Sequence, residues 1–217
     1  MTDFATRRRM MVDTQVRPSD VTEFPIIDAM LTVQREAFVP REKIEAAYAD
    51  AHVDIGGDRV VLEPRLFGKM LDALNLSNAD FVLDIGAGLG YSSAVIARIA
   101  EAVVAVEEDE ERVSEAQSLL TEHHADNVIL HGGPLQAGAA EHGPYDAILI
   151  EGGVEELPEA LTDQLKDGGR IVAIFMENAL GTVRIGHKID GVITWRYAFN
   201  GTAPVLAGFE KQVAFAL

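Results

Sequence analysis

The chain has no cysteine, a single tryptophan, and 18 lysines and arginines against 35 aspartates and glutamates in 217 residues. The missing cysteine excludes a disulfide framework, a thiolate zinc site and a cysteine nucleophile. A formal net charge of −17 argues against a surface that meets nucleic-acid phosphates or an anionic membrane. The one basic cluster, Arg7-Arg8-Arg9, has acidic residues on both sides. No apolar run reaches transmembrane length. The segment MTDFATRRRMMVD has no apolar stretch after its charges, so it is not read as a secretory signal, and a cytoplasmic location is expected. No G-x-S-x-G elbow or other hydrolase signature occurs. What is present is a hydrophobic fraction of 48%, enough for a globular core in one domain with an appendage.

The most informative stretch is FVLDIGAGLGYSSAVIAR, Phe81 to Arg98. An apolar run meets Asp84, then a ladder of Gly86, Gly88 and Gly90, then a helical pattern. A second apolar run ends on Glu107. Strand, tight turn, helix, strand and terminal acid make the layout of a nucleoside-cofactor crevice in a doubly wound α/β fold. Glycines let the backbone approach a ligand closely. A carboxylate at 107 can accept both hydrogen bonds of a ribose diol. The ladder is G-x-G-x-G, with Tyr91 where a dinucleotide fingerprint needs its third glycine. Asp84 before the ladder matches the methyltransferase version, in which this acid faces the methionine part of S-adenosylmethionine.

Residues 1–76 are expected to form a helical extension packed on the same core, and 77–217 the cofactor-binding domain. Val21–Val33 has helical periodicity, Pro40 opens a short helix through Tyr48, Asp54–Pro64 reads as a connector, and Arg65–Leu76 as a helix. Strands are expected near 81–85, 102–107, 127–131, 145–150 and 169–175, with helices near 90–100, 109–123 and 155–166. Lys166-Asp167-Gly168-Gly169 reads as a helix stop. Asp190-Gly191 should turn a hairpin between Thr182–Ile189 and Val192–Phe199, and Gln212–Ala216 should close a seven-stranded Rossmann-like sheet. The six histidines, His52, His123, His124, His131, His142 and His187, show no metal-ligand spacing and read as surface or capping residues.

The chain resembles the protein-L-isoaspartate O-methyltransferase family over about residues 10–175. The resemblance rests on MVDTQVR (11–17), IIDAMLTVQREAFVP (26–40), AYADAHVDIG (47–56), VLDIGAGLGYSSAVIA (82–97), DNVILHGG (126–133), EHGPYDAILI (141–150) and LPEALTDQLKDGGRIVAI (157–174). Arg-Glu-x-Phe-Val-Pro at 35–40 is specific to this family rather than to methyltransferases at large. The resemblance implies S-adenosylmethionine as cofactor and a carboxylate of a damaged protein or peptide as methyl acceptor. The implied cofactor set is Asp84, Gly86, Ala87, Gly88, Gly90, Tyr91, Ser92, Glu107, Glu108, Gly133 and Pro134.

The departures from the family pattern cluster where the chemistry should be. Val60 and Leu62 stand at the family's Thr and Ser, so both acceptor-side hydroxyls are gone and no catalytic residue is assigned. Pro134 replaces the Asp that would hold the adenine amine. Glu151-Gly152-Gly153 replaces Thr-Ala-Ala, and Ile174-Phe175-Met176 replaces Pro-Val-Gly. The substrate pocket is expected to include Arg59, Glu63, Arg65 and Glu151, with either arginine able to clamp a carboxylate. Two other readings stay open: a different small-molecule methyl acceptor, or a non-catalytic binding protein on the same scaffold.

Overall fold

The computed structural model describes residues 3–211. Strand alternation builds its core. Along β3 (Phe81–Ile85), Val82 faces one apolar cluster while Leu83 and Ile85 face another. The same split runs through β4 (Ala102–Glu107), with Val103 on one side and Val104 and Val106 on the other. A strand buried on both faces must read as a continuous apolar run, as these do. The first cluster takes the N-terminal helices α1 (Phe4–Met11), α2 (Phe24–Thr32) and α3 (Pro64–Leu74). Residues 3–76 thus pack on the sheet that follows them.

The sheet has seven strands in the order β5-β4-β3-β6-β7-β8-β9. Its remaining members are β5 (Val128–Gly132), β6 (Tyr145–Val154), β7 (Leu165–Glu177), β8 (Leu180–Ile189) and β9 (Val192–Asn200). Five strands are parallel, and β8 and β9 run antiparallel at one edge. The chain moves outward from β3 to β5, then returns to the other side of β3 with β6. That reversal opens a crevice beyond the carboxyl ends of β3, β4 and β6.

Helix ends are set by local chemistry. Pro64 opens α3 with its φ already helical, and Asn75 ends it in the left-handed region at φ 48°. Arg170 of β7 caps the carbonyls left over, donating to Leu74 O at 2.6 Å and Asn75 O at 2.9 Å, and pairs with Asp80 at 2.6 Å. Between the sheet strands, α4 spans Tyr91–Ile96, α5 Glu110–Glu122 and α6 Glu159–Asp163. Asp109 caps α5 by accepting from the Arg112 N–H at 2.9 Å. The hairpin turn is Asp190-Gly191, at φ 51° and 77°.

Four expectations need correcting. Residues 54–64 hold a β-hairpin, β1 (Val53–Gly56) with β2 (Arg59–Val61), rather than a plain connector. The stretch after Pro40 is a 3-10 helix, Arg41–Ala46. Helices α4 and α6 are shorter than their sequence patterns, and a helix absent from the sequence reading, α1, precedes them all. Lys166–Gly169 lies within β7, where the pairing with β6 slips between Tyr145 and Ala147 and Gly168 sits at φ 82°. The expected strand 212–216 lies outside the described residues.

Candidate active site

The crevice at the switch point is built on the glycine turn after β3. Gly86, Gly88 and Gly90 all have positive φ, between 58° and 95°, which other residues adopt only with strain. The Gly86 and Ala87 N–H groups both donate to Val106 O, at 2.9 and 3.1 Å, locking the turn to β4. A Cβ on Gly88 would lie 2.8 Å from Ile55, so the β1–β2 hairpin rests directly on the turn.

Two acids expected in the crevice are there, both fully buried. Asp84 accepts hydroxyl bonds from Ser92 and Ser93 on one oxygen, at 2.7 and 2.6 Å, while its other oxygen has no partner. Burial pushes its carboxyl up to about 6, against the lowering effect of the two serines. Glu107 is saturated. Arg59 donates to both its oxygens, at 3.3 and 3.0 Å, and Arg112 to one at 3.2 Å. The N–H groups of Gly88, Glu108 and Asp109 complete the set. Arg59 is only 3% exposed, and a Cβ on Gly86 would lie 3.0 Å from its guanidinium.

A third acid, Glu151, sits at an irregularity of β6 between Leu149 and Gly153. It is buried, and one of its oxygens has no partner. Burial first, and then the charge of Asp84, hold its carboxyl well above the ordinary range. The neighbouring glycines have a steric reason. A Cβ on Gly152 would lie 2.5 Å from Leu206, and one on Gly153 2.7 Å from Ala203 O. The segment 203–209 runs over the end of β6, with Gly153 N–H donating to Pro204 O at 2.8 Å and Leu206 N–H to Gly153 O at 2.9 Å. Leu206 and Phe209 thereby join the second core cluster. Neither residue was singled out by sequence reasoning. The paired glycines at 152 and 153 were the available signal.

The other expected residues lie as follows. Ser92 is tied to Asp84, and Ala87 is buried in the turn. The Tyr91 ring is buried toward the helical layer, against Phe38, Phe67 and the Arg35 guanidinium. Glu108 and Pro134 are exposed, and Gly133 donates its N–H to Glu107 O at 3.0 Å. Glu63 pairs with Arg65 at 3.3 Å, so those two charges answer each other and Arg65 is not the partner of the crevice acids. Val60 is partly buried, and Leu62 is a core residue whose carbonyl accepts from Arg35 at 2.7 Å.

Two groups of histidines make specific contacts. His52 is a tether: its Nδ1 accepts from Glu63 N–H at 2.9 Å, leaving Nε2–H to donate to Thr202 O at 2.8 Å. His131 and His142 both approach Glu141 Oε1, at 3.5 and 3.6 Å, a trio able to hold a metal ion that no linear spacing reveals.

The scaffold fits S-adenosylmethionine in three respects: the unpartnered buried oxygen of Asp84, the positive-φ glycine turn, and a carboxylate at the end of β4. In this conformation Arg59 holds that carboxylate.

The family model described as protein-L-isoaspartate(D-aspartate) O-methyltransferase matches residues 7–198. A protein-L-isoaspartate O-methyltransferase of Roseiflexus sp. is 36% identical over 207 residues, covering 95% of this chain and 94% of that protein. One from Roseiflexus castenholzii is 36% identical over 170 residues, with 78% of each covered. A solved protein-L-isoaspartate O-methyltransferase superposes with a TM-score of 0.81 at 25% identity, over 93% of this chain and 66% of that one. A Plasmodium falciparum structure of that description, in complex with S-adenosyl-L-homocysteine, shares the fold with a TM-score of 0.79 at 18% identity, over 95% and 99%. With its fold, glycine turn and flanking acids in place, the chain belongs to the protein-L-isoaspartate O-methyltransferase family of S-adenosylmethionine-dependent enzymes.

Proposed function

We propose that the chain methylates carboxylates of proteins or peptides, isoaspartyl groups being the substrate class in its relatives' names, with S-adenosylmethionine bound at the crevice. The observation that carries this is the order Asp84, glycine turn, Glu107 at the switch point of the sheet, two buried acids either side of a positive-φ backbone that glycine adopts without strain. The cofactor, when bound, supplies an electrophilic methyl group on a sulfonium. The residues of the chain do the rest. Asp84 offers a buried oxygen to the amino-acid end. Glu107 suits the ribose diol, and the glycine turn admits the ligand without Cβ contact. Gly133 and Pro134 lie where the adenine would be met, and Pro134 has neither an N–H nor a side-chain acceptor for it. Ile55 and Leu206 cover the turn and would exclude water from the transfer. Methyl transfer needs mainly alignment of acceptor oxygen and donor, so positioning carries much of the rate.

Calorimetric titration with S-adenosylmethionine and S-adenosylhomocysteine tests this reading, followed by methyl transfer to an isoaspartyl peptide. One-to-one binding, lost in Asp84→Ala, is expected. No binding by wild type at millimolar ligand would refute it.

A further inference from the structure

Arg59 stands on Glu107, the carboxylate suited to the ribose diol. Its guanidinium covers both oxygens of Glu107, and its Nε is buried without a partner. It immediately precedes Val60 and lies three residues before Leu62, the two apolar residues standing where the family has hydroxyls. Glu107 would keep Arg112 and three backbone N–H donors if Arg59 left. Arg59 would leave behind its only side-chain hydrogen-bond partner among the described residues. The other fully buried guanidinium, Arg35, donates to the carbonyls of Ala47 and Leu62 at 2.6 and 2.7 Å, away from Glu107, with its Nη1 left without a partner.

Resting on the function proposed above, we propose that Arg59 is a shared switch: it occupies Glu107 until the ribose diol displaces it, and the freed guanidinium then recognises the acceptor carboxylate. A diol and a guanidinium cannot both take the same two carboxylate oxygens, so cofactor and Arg59 compete. A freed, poorly solvated guanidinium needs an anion, and a carboxylate is its best-matched partner. It would be one donor for the acceptor where the family's two hydroxyls are gone, a partial substitute for them. Binding is therefore ordered, cofactor before acceptor, and each ligand favours the other. The reaction stays simple: an acceptor oxygen gains the methyl, and the sulfonium becomes a neutral thioether that takes the electron pair of the broken bond.

The test is one residue with opposite effects on two ligands. S-adenosylhomocysteine and an isoaspartyl peptide are titrated by calorimetry into wild type, Arg59→Gln and Arg59→Lys. In Arg59→Gln, S-adenosylhomocysteine should bind at least tenfold more tightly. Peptide binding to the S-adenosylhomocysteine complex should weaken at least tenfold, and Arg59→Lys should recover part of it. In wild type, the peptide should bind at least tenfold more tightly once S-adenosylhomocysteine is present. General damage to the fold would weaken both ligands together, and such a result overturns the proposal, as does unchanged S-adenosylhomocysteine affinity. Tighter S-adenosylhomocysteine with unchanged peptide binding overturns the acceptor role. If no variant binds S-adenosylhomocysteine, the functional reading itself fails, a result distinct from all of these.

Discussion

Replacing Asp84 by Asn should stabilise the ligand-free protein at neutral pH while harming its cofactor site. Burial raises this carboxyl from 3.8 to about 6. A shift of that size corresponds to about 3 kcal/mol of differential stability between its two protonation states. The raised value means that the native state binds the proton more tightly than the unfolded chain does. The stabilising contribution is thus fully present below pH 3.8 and is lost as pH rises to about 6, so at neutral pH an ionised Asp84 opposes folding. Asn is neutral and keeps an acceptor for the hydroxyls of Ser92 and Ser93. Its amide replaces an oxygen that already lacked a partner, which takes back about 1–2 kcal/mol. A net gain of about 1–2 kcal/mol should remain at pH 7.5, or roughly 2–8 °C in Tm for a chain of this size. Thermal unfolding of wild type and Asp84→Asn between pH 4.5 and 8 measures it. At pH 4.5, where most of the native-state Asp84 is protonated, the ionisation cost falls to about 1 kcal/mol while the amide penalty remains, so the advantage should vanish or reverse. A variant less stable at pH 7.5, or a gain independent of pH, would refute the reasoning.

Glu107→Ala leaves the guanidiniums of Arg59 and Arg112 without their buried carboxylate, and should cost about 3–5 kcal/mol in urea unfolding as well as at least tenfold in S-adenosylhomocysteine affinity. Arg170→Ala uncaps α3 and frees Asp80, and should cost about 2–4 kcal/mol by the same measurement. Burial alone would raise the Asp80 carboxyl, but the Arg170 and Ser77 bonds outweigh it and hold it below 3.8, so this contribution is lost only as pH falls below the ordinary carboxylate range. Methylation of an isoaspartyl peptide should be slow in wild type and faster in the Val60→Thr, Leu62→Ser double mutant; because Leu62 is 1% exposed, the serine should also cost about 2–4 kcal/mol of stability. Robust wild-type turnover, with no gain in the double mutant, would show that donors other than hydroxyls at 60 and 62 suffice.

Most of the scaffold was legible because its signals are local. An apolar run, an acid, alternate glycines and a second apolar run specify a strand, a turn and a strand whatever lies elsewhere. The Asp190-Gly191 turn is equally self-contained. The β1–β2 hairpin escaped because its strands are short and its turn, Gly57-Asp58, carries no alternation around it long enough to register. Helix α6 was overcalled because Gln164 and Lys166 extend a helical pattern that the pairing of Leu165 with Tyr145 captures for the sheet. No helix among the described residues is long and apolar enough to cross a membrane.

The site was legible as a set of residues but not as a set of partners. Arg59 could be read as a cation near acids, yet which acid it meets depends on the hairpin folding back over Gly86 and Gly88. The departures at 151–153 have a further lesson. They read as lost chemistry in the acceptor pocket, but Gly152 and Gly153 also make room for Leu206 and the carbonyl of Ala203, about fifty residues away. Restoring Thr-Ala-Ala there alone would drive a methyl to 2.5 Å from Leu206 and another to 2.7 Å from Ala203 O. Such a reversion would expel the segment 203–209 before it tested any hydroxyl. The altered residues thus form two linked groups, Gly152 and Gly153 with the covering segment, and Arg59 with Glu107. Their roles can be separated only by changing the partners within each group together.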